Sequence, residues 1–134
     1  SAGSFATKAD LDLTKELLSS TGLVLEVDES QQDAVTAVSG SGPAYFFSFV
    51  ESMIKSGVKL GLSEEIATKL AIGTIVGSAA MLQESGIDAA TLRKNVTSPN
   101  GTTAAALEVF STKKLDDIIN EAMTAAKKRS QELA

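Results

Sequence analysis

The chain has 134 residues, 43% apolar and 22% charged, with a formal net charge of −5 and neither cysteine nor histidine. That is one globular domain with a sizeable core to bury. The acidic balance argues against nucleic acid and anionic membrane surfaces, and the lack of Cys and His excludes disulfides, thiolate nucleophiles, imidazole bases and the usual zinc sites, so no metal is expected. The longest charge-free runs are Ala34 to Val50, interrupted by SGSGP, and Leu70 to Gln83. Both fall short of the roughly 20 apolar residues of a membrane span. With no secretory pattern either, the expected location is the cytoplasm.

In chain order, Thr7 and Asp10 suit a capping box before LDLTKELLSS, and Gly22 suits the residue past the helix end, which predicts a helix over about 8–21. LVLEV at 23–27 is short, β-branched and bounded by Gly22 and Asp28, which predicts a strand with no obvious partner later in the chain. Everything from Gln31 onward reads as helix. DAVTAV at 33–38 ends in the turn SGSG, and Pro43 opens a long helix to about residue 60. On that helix Phe46, Phe49, Val50, Met53, Gly57 and Leu60 fill one face, and Ala44, Phe47, Ile54 and Val58 a second. A helix apolar on two faces is sandwiched.

Gly61 and Ser63 stop that helix and cap the next, about 63–85, with Glu64 and Glu65 in its first turn. Ala67, Ala71, Gly73, Thr74, Gly77, Ser78 and Ala80 keep it thin enough for a second backbone to approach closely. A shorter helix is predicted over DAATLRKNV, then the loop TSPNG, then helices over about 102–111 and 114–132. The last carries Leu115, Ile118 or Ile119, Ala122, and Ala125 or Ala126 on one stripe, and the bases Lys127, Lys128 and Arg129 near its end complement the dipole.

Two stretches carry potential chemistry. SGSGPAYFF lacks the lysine and the preceding strand of a phosphate loop, so a tight interhelical turn explains it better. TSPNGTT feeds a helix N-terminus, where free amides and the positive dipole end favour an anion, although ordinary capping accounts for most such sequences. Glu51, Glu84 and Glu108 have no spacing that forces a carboxylate pair, and solvated helix faces explain them. Tyr45 sits among three phenylalanines and reads as packing.

DAVTAVSGSGPAYFF and, some fifty residues later, LRKNVTSPNGTTAAALE resemble the C-terminal half of pyrroline-5-carboxylate reductase, over about Ala9 to Leu133. The resemblance implies a mainly α fold: a helical dimerisation domain like that of 6-phosphogluconate-dehydrogenase-type C-terminal domains, with one short N-terminal strand. It implies that residues 1–28 are a helix-and-strand remnant of a dinucleotide-binding domain and that residues 29–134 form the helical dimerisation and substrate-binding domain.

The activity implied is NAD(P)H-dependent reduction of 1-pyrroline-5-carboxylate to L-proline, the last step of proline biosynthesis. NADPH or NADH would be held mainly by the N-terminal domain, since no G-x-G-x-x-G follows a strand here. This part alone is expected to be inactive. By position in the motif, Thr103 corresponds to a threonine that hydrogen-bonds the imine or product nitrogen and serves as the catalytic residue. Ser98, Asn100, Gly101, Thr102 and Thr103 bind the substrate and its carboxylate, and Asn95 and Val96 lie near the nicotinamide. Asn100 stands where glycine is commonest and requires a left-handed backbone, which Asn tolerates. Gly86, Ile87, Asp88 and Ala89 depart from the usual acidic, His and Pro sequence. Expected partners are a second copy or a larger homo-oligomer and the small-molecule substrate, with no nucleic acid and no membrane. The alternatives are a helical dimerisation module without activity and a related two-domain hydroxy-acid dehydrogenase.

Overall fold

A computed structural model describes residues 1–133. It divides into two compact units, one of Ser1–Gly42 with the segment from Ala122 onward and one of Pro43–Glu121.

The first unit opens with α1, Lys8–Leu18, continued by a 3-10 turn at Ser19–Thr21. The capping box predicted from sequence is formed: the Thr7 amide and hydroxyl donate to Asp10 Oδ2 at 2.8 and 2.7 Å, and the Asp10 amide donates to Thr7 Oγ1 at 3.4 Å. Those Thr7 bonds, the hydroxyl's first, hold the Asp10 carboxyl below its ordinary pKa. Gly22 follows with φ +146°, a conformation that favours glycine.

The strand expected at Leu23–Val27 is not formed, and no residue described adopts strand structure. The reason is physical. A strand is a ladder of inter-strand hydrogen bonds, and no other described residue is in a strand, so the segment has nothing to pair to. Leu23 is 87% exposed.

After a 3-10 turn at Glu29–Gln31 come α2, Gln32–Val35, and a π-helical turn at Thr36–Gly40, which takes up the end of the helix expected over 33–38 and the start of the expected turn. The Ser41 amide donates to the Thr36 carbonyl at 2.8 Å, and the Ser39 hydroxyl to the Val35 carbonyl at 3.0 Å. Ala37 is buried inside this turn. The Ser130 hydroxyl, on the last helix, donates to Asp33 at 2.7 Å.

The second unit is built on α3, Gly42–Lys59, and α4, Glu64–Glu84. Between them the Leu62 amide donates to the Gly57 carbonyl and the Gly61 amide to the Val58 carbonyl, with Gly61 at φ +102°. This is a Schellman closure. Ser63 then caps α4 through the Ile66 amide at 3.3 Å. Gly57 lets the two helices meet, because a Cβ there would stand 3.1 Å from Ala67 Cβ. Gly42, Tyr45, Val50, Ile54 and Gly57 on α3 and Ala67, Thr68, Ala71, Ile75 and Ala80 on α4 are the buried or half-buried positions.

Parts of both apolar faces of α3 and of the thin face of α4 stay exposed: Phe46 is 62% exposed, Phe47 72%, and a Cβ at Gly73 or Gly77 would meet nothing within 4 Å. The helix α4 is long and apolar enough to cross a membrane, its most apolar 18-residue window having a mean hydropathy of 1.3, although its charge-free stretch is shorter. Glu64, Glu65 and Lys69 lie on its first turns, with Lys69 paired to Glu65.

Three helices follow: α5, Ala89–Asn95; α6, Thr102–Thr112; and α7, Leu115–Leu133. On α7 the partly shielded positions are Leu115, Met123, Ala126 and Ser130. The sequence stripe included Leu115 and Ala126 but passed over Met123.

Candidate functional site

The loop between α5 and α6 is where the site residues gather. The helix α5 begins at Asp88, whose carboxylate accepts from the Thr91 amide at 3.0 Å and the Thr91 hydroxyl at 2.8 Å. Those two bonds, the amide's first, hold the Asp88 carboxyl below its ordinary value. At the other end of α5 the Val96 amide donates to the Leu92 carbonyl at 3.3 Å and the Thr97 amide to the Lys94 carbonyl at 3.1 Å. The Thr97 hydroxyl donates to the Arg93 carbonyl at 2.6 Å.

Ser98, Pro99, Asn100 and Gly101 form a turn closed by the Gly101 amide donating to the Ser98 carbonyl at 3.1 Å. Proline at its second position and Asn100 at φ +58° at its third are the signature of a type II turn. The left-handed backbone expected of Asn100 is therefore present. Gly101 has an ordinary φ of −82° and is needed for space: a Cβ there would overlap Ser98 Oγ and stand 3.2 Å from the Ser98 carbonyl oxygen.

Gly101 is also the N-cap of α6, and with no side chain it caps nothing. The amides that begin an α-helix have no partner within it. The Gly101 amide is taken by the turn, which leaves those of Thr102, Thr103 and Ala104 without an α-helical partner at the positive end of the helix. Among the described residues no protein group bonds the hydroxyls of Ser98, Thr102 or Thr103. Thr103 is half-buried, whereas Ser98, Asn100 and Thr102 are exposed. The arrangement offers an anion two or three amides, up to three hydroxyls and a helix dipole.

Asn95 ends α5 and Val96 is its C-cap, and both side chains are exposed. They precede the turn by only a few residues, so the structure brings all seven sequence-predicted positions to one end of α5 and α6. It does not enclose them. A hollow in this unit lies instead at the far end of α6, lined by Arg93, Phe110, Lys114 and Asp117 among others. The sequence reading did not anticipate the Thr97 hydroxyl bond. Its signal was a hydroxyl residue four positions after Arg93, just beyond the helix.

The carboxylates considered for acid and base chemistry are not paired with one another. Glu51 accepts from Lys55 at 2.6 Å one turn along α3, and that hydrogen bond and charge lower its pKa, as on any solvated helix face. No cluster of metal-ligating side chains occurs among the described residues.

Residues 29–133 match the family described as pyrroline-5-carboxylate reductase dimerisation. The pyrroline-5-carboxylate reductase of Pseudomonas aeruginosa is 46% identical over 134 residues, covering 99% of this chain and 49% of that protein, and that of Mycobacterium leprae is 44% identical, covering 98% and 50%. Among solved structures, the pyrroline-5-carboxylate reductase of Coxiella burnetii superposes with a TM-score of 0.92 at 36% identity, over 99% of this chain and 50% of that one. The Plasmodium falciparum pyrroline carboxylate reductase with NADP bound superposes with a TM-score of 0.89 at 33% identity, over 98% and 53%. The chain thus spans about half the length of the relatives it matches. With a match over residues 29–133, the chain belongs to the pyrroline-5-carboxylate reductase dimerisation family.

Proposed function

We propose that this chain is the C-terminal, dimer-forming and substrate-completing half of an NAD(P)H-dependent reductase that converts 1-pyrroline-5-carboxylate to L-proline. The observation that carries the reading is the uncapped start of α6 behind the Ser98–Gly101 turn, in a chain of this family. Such a helix start suits a carboxylate, the one charge on a small cyclic imine. On this reading the substrate carboxylate is held by the amides of Thr102 and Thr103 and by the Ser98 hydroxyl. Asn100 and Gly101 shape the turn that presents them. The half-buried Thr103 hydroxyl orients the ring nitrogen and supplies or relays its proton, with water as the final source. Asn95 and Val96 border the cofactor side.

The chain's own residues do not fit the dinucleotide. No residue described is in a strand and no glycine-rich strand-to-helix turn occurs, so no cradle for its phosphates is built here. The cofactor's seat is then in the other half, and residues 1–28, with α1 and without a formed strand, are the closing segment of that domain. The pairing partner is a second copy of this chain in a cytoplasmic enzyme. The exposed Phe46 and Phe47 of α3 and the open Gly73–Gly77 face of α4 support a protein partner for that surface.

The test is Thr103→Val in the complete enzyme. Removing one positioned hydrogen bond is expected to lower catalytic efficiency with the imine roughly ten- to a hundredfold, with cofactor affinity unchanged. Wild-type efficiency in this variant would remove Thr103 from the mechanism.

A further inference from the structure

The last carbonyls of a helix lack intrahelical partners and are met by whatever follows. At the end of α5, the Leu92 and Lys94 carbonyls are met by backbone amides, those of Val96 and Thr97. The Arg93 carbonyl between them is met by a side chain, the Thr97 hydroxyl, at 2.6 Å. Thr97 is half-buried, while Val96, Ser98, Pro99 and Asn100 around it are exposed. Beyond Thr97 the only backbone hydrogen bond in the turn is the one from Gly101 back to Ser98. Thr97 is therefore the last point at which the loop is tied to a helix before the turn begins.

We propose that Thr97 is a positioning residue for the α5–α6 loop: by closing on the Arg93 carbonyl, its hydroxyl sets the direction in which the chain leaves α5, and with it the stance of Ser98 and the first amides of α6. Thr97 itself touches no ligand. The proposal rests on the reading of this loop as the carboxylate site. Two short ties then define the loop, Thr97 to Arg93 on the entry side and the Ser98–Gly101 turn on the exit side. The second tie is tight because Gly101 has no side chain to collide with Ser98. Losing the first leaves the turn intact but free to swing about the end of α5, which misplaces the anion donors without unfolding either helix.

The experiment compares Thr97→Val, Thr97→Ser and Ser98→Ala in the complete reductase. Valine keeps the β-branched shape and removes only the hydroxyl, and serine keeps the hydroxyl. Thr97→Val is expected to raise the KM for the imine about tenfold, the effect of one lost hydrogen bond acting through geometry. The KM for NAD(P)H and the melting temperature should stay near wild type, and Thr97→Ser should restore the imine KM. Three results overturn the proposal: a normal imine KM in Thr97→Val when Ser98→Ala is impaired; no rescue by serine; or a parallel loss of stability and of affinity for both substrates, which marks a merely structural role. If Thr97→Val and Ser98→Ala both leave the imine KM unchanged, the loop is not the carboxylate site and the functional reading falls with the inference.

Discussion

Gly101 and Asn100 are neighbours with opposite needs. Gly101 has a backbone any residue adopts but no room for a side chain, whereas Asn100 has room but a backbone with φ +58°. Substitutions should therefore separate them. Gly101→Ala forces Ser98 to rotate or the turn to open, and in the complete enzyme it should raise the imine KM at least tenfold, or by about 1.4 kcal/mol of binding. Asn100→Gly relieves the left-handed strain and should leave the kinetics near wild type. Steady-state kinetics on the two variants check this, and equal impairment would mean that the turn is set by something other than these two constraints.

At the scale of elements, the starts of α1 and α5 are made by short-range capping with carboxylates that pH titrates. The Asp88 carboxyl is held below its ordinary value of 3.8, first by the Thr91 amide and then by its hydroxyl. A depressed carboxyl stabilises the fold above its unfolded pKa, and that contribution is lost as pH falls through the folded value. The melting temperature of Asp88→Ala should thus lie below wild type at neutral pH, and the gap should close below about pH 4. A gap unchanged at low pH would mean that the ionised cap is not what is being measured.

The glycines of the two long helices divide in the same spirit. Gly57 faces Ala67 at contact distance, so Gly57→Val overpacks the α3–α4 crossing and should cost roughly 1–3 kcal/mol in denaturant unfolding. Gly73 and Gly77 have open space around them, so Gly73→Ala should add up to about 1 kcal/mol of helix stability to a monomeric chain. If that face docks on a second copy, the same change should weaken association.

For the whole molecule, the exposed apolar side chains are the telling feature, and in a dimerisation family they call for a protein partner. Among the described residues the buried hydrophobic side chains are three alanines, Ala37, Ala67 and Ala71, and every phenylalanine is exposed. Sedimentation of the chain at micromolar concentration should accordingly give a dimer that Gly73→Ala or Gly77→Ala shifts toward monomer. A wild-type monomer overturns the interface argument. Partition of the chain into vesicles without dimerisation would instead assign the apolar face of α4 to a membrane.

Much of this protein was legible in its sequence because the deciding interactions are local. The Thr7–Asp10 box, the Ser63 cap, the Gly61 stop and the left-handed Asn100 each involve residues within a few positions of one another, and helical periodicity marked the long helices. The ordered string TSPNGTT likewise marked the loop that gathers the candidate site. What the sequence could not supply was long-range pairing. LVLEV has the composition of a strand, yet a strand exists only by hydrogen bonding to another, and none is there to receive it. The π turn at Thr36–Gly40, the shielding of Met123 and the bond from Ser130 to Asp33 depend on what packs where. Which apolar positions of α3 meet their own chain was settled by packing, as in the close approach of Gly57 to Ala67. Periodicity marks a face as apolar without saying what covers it.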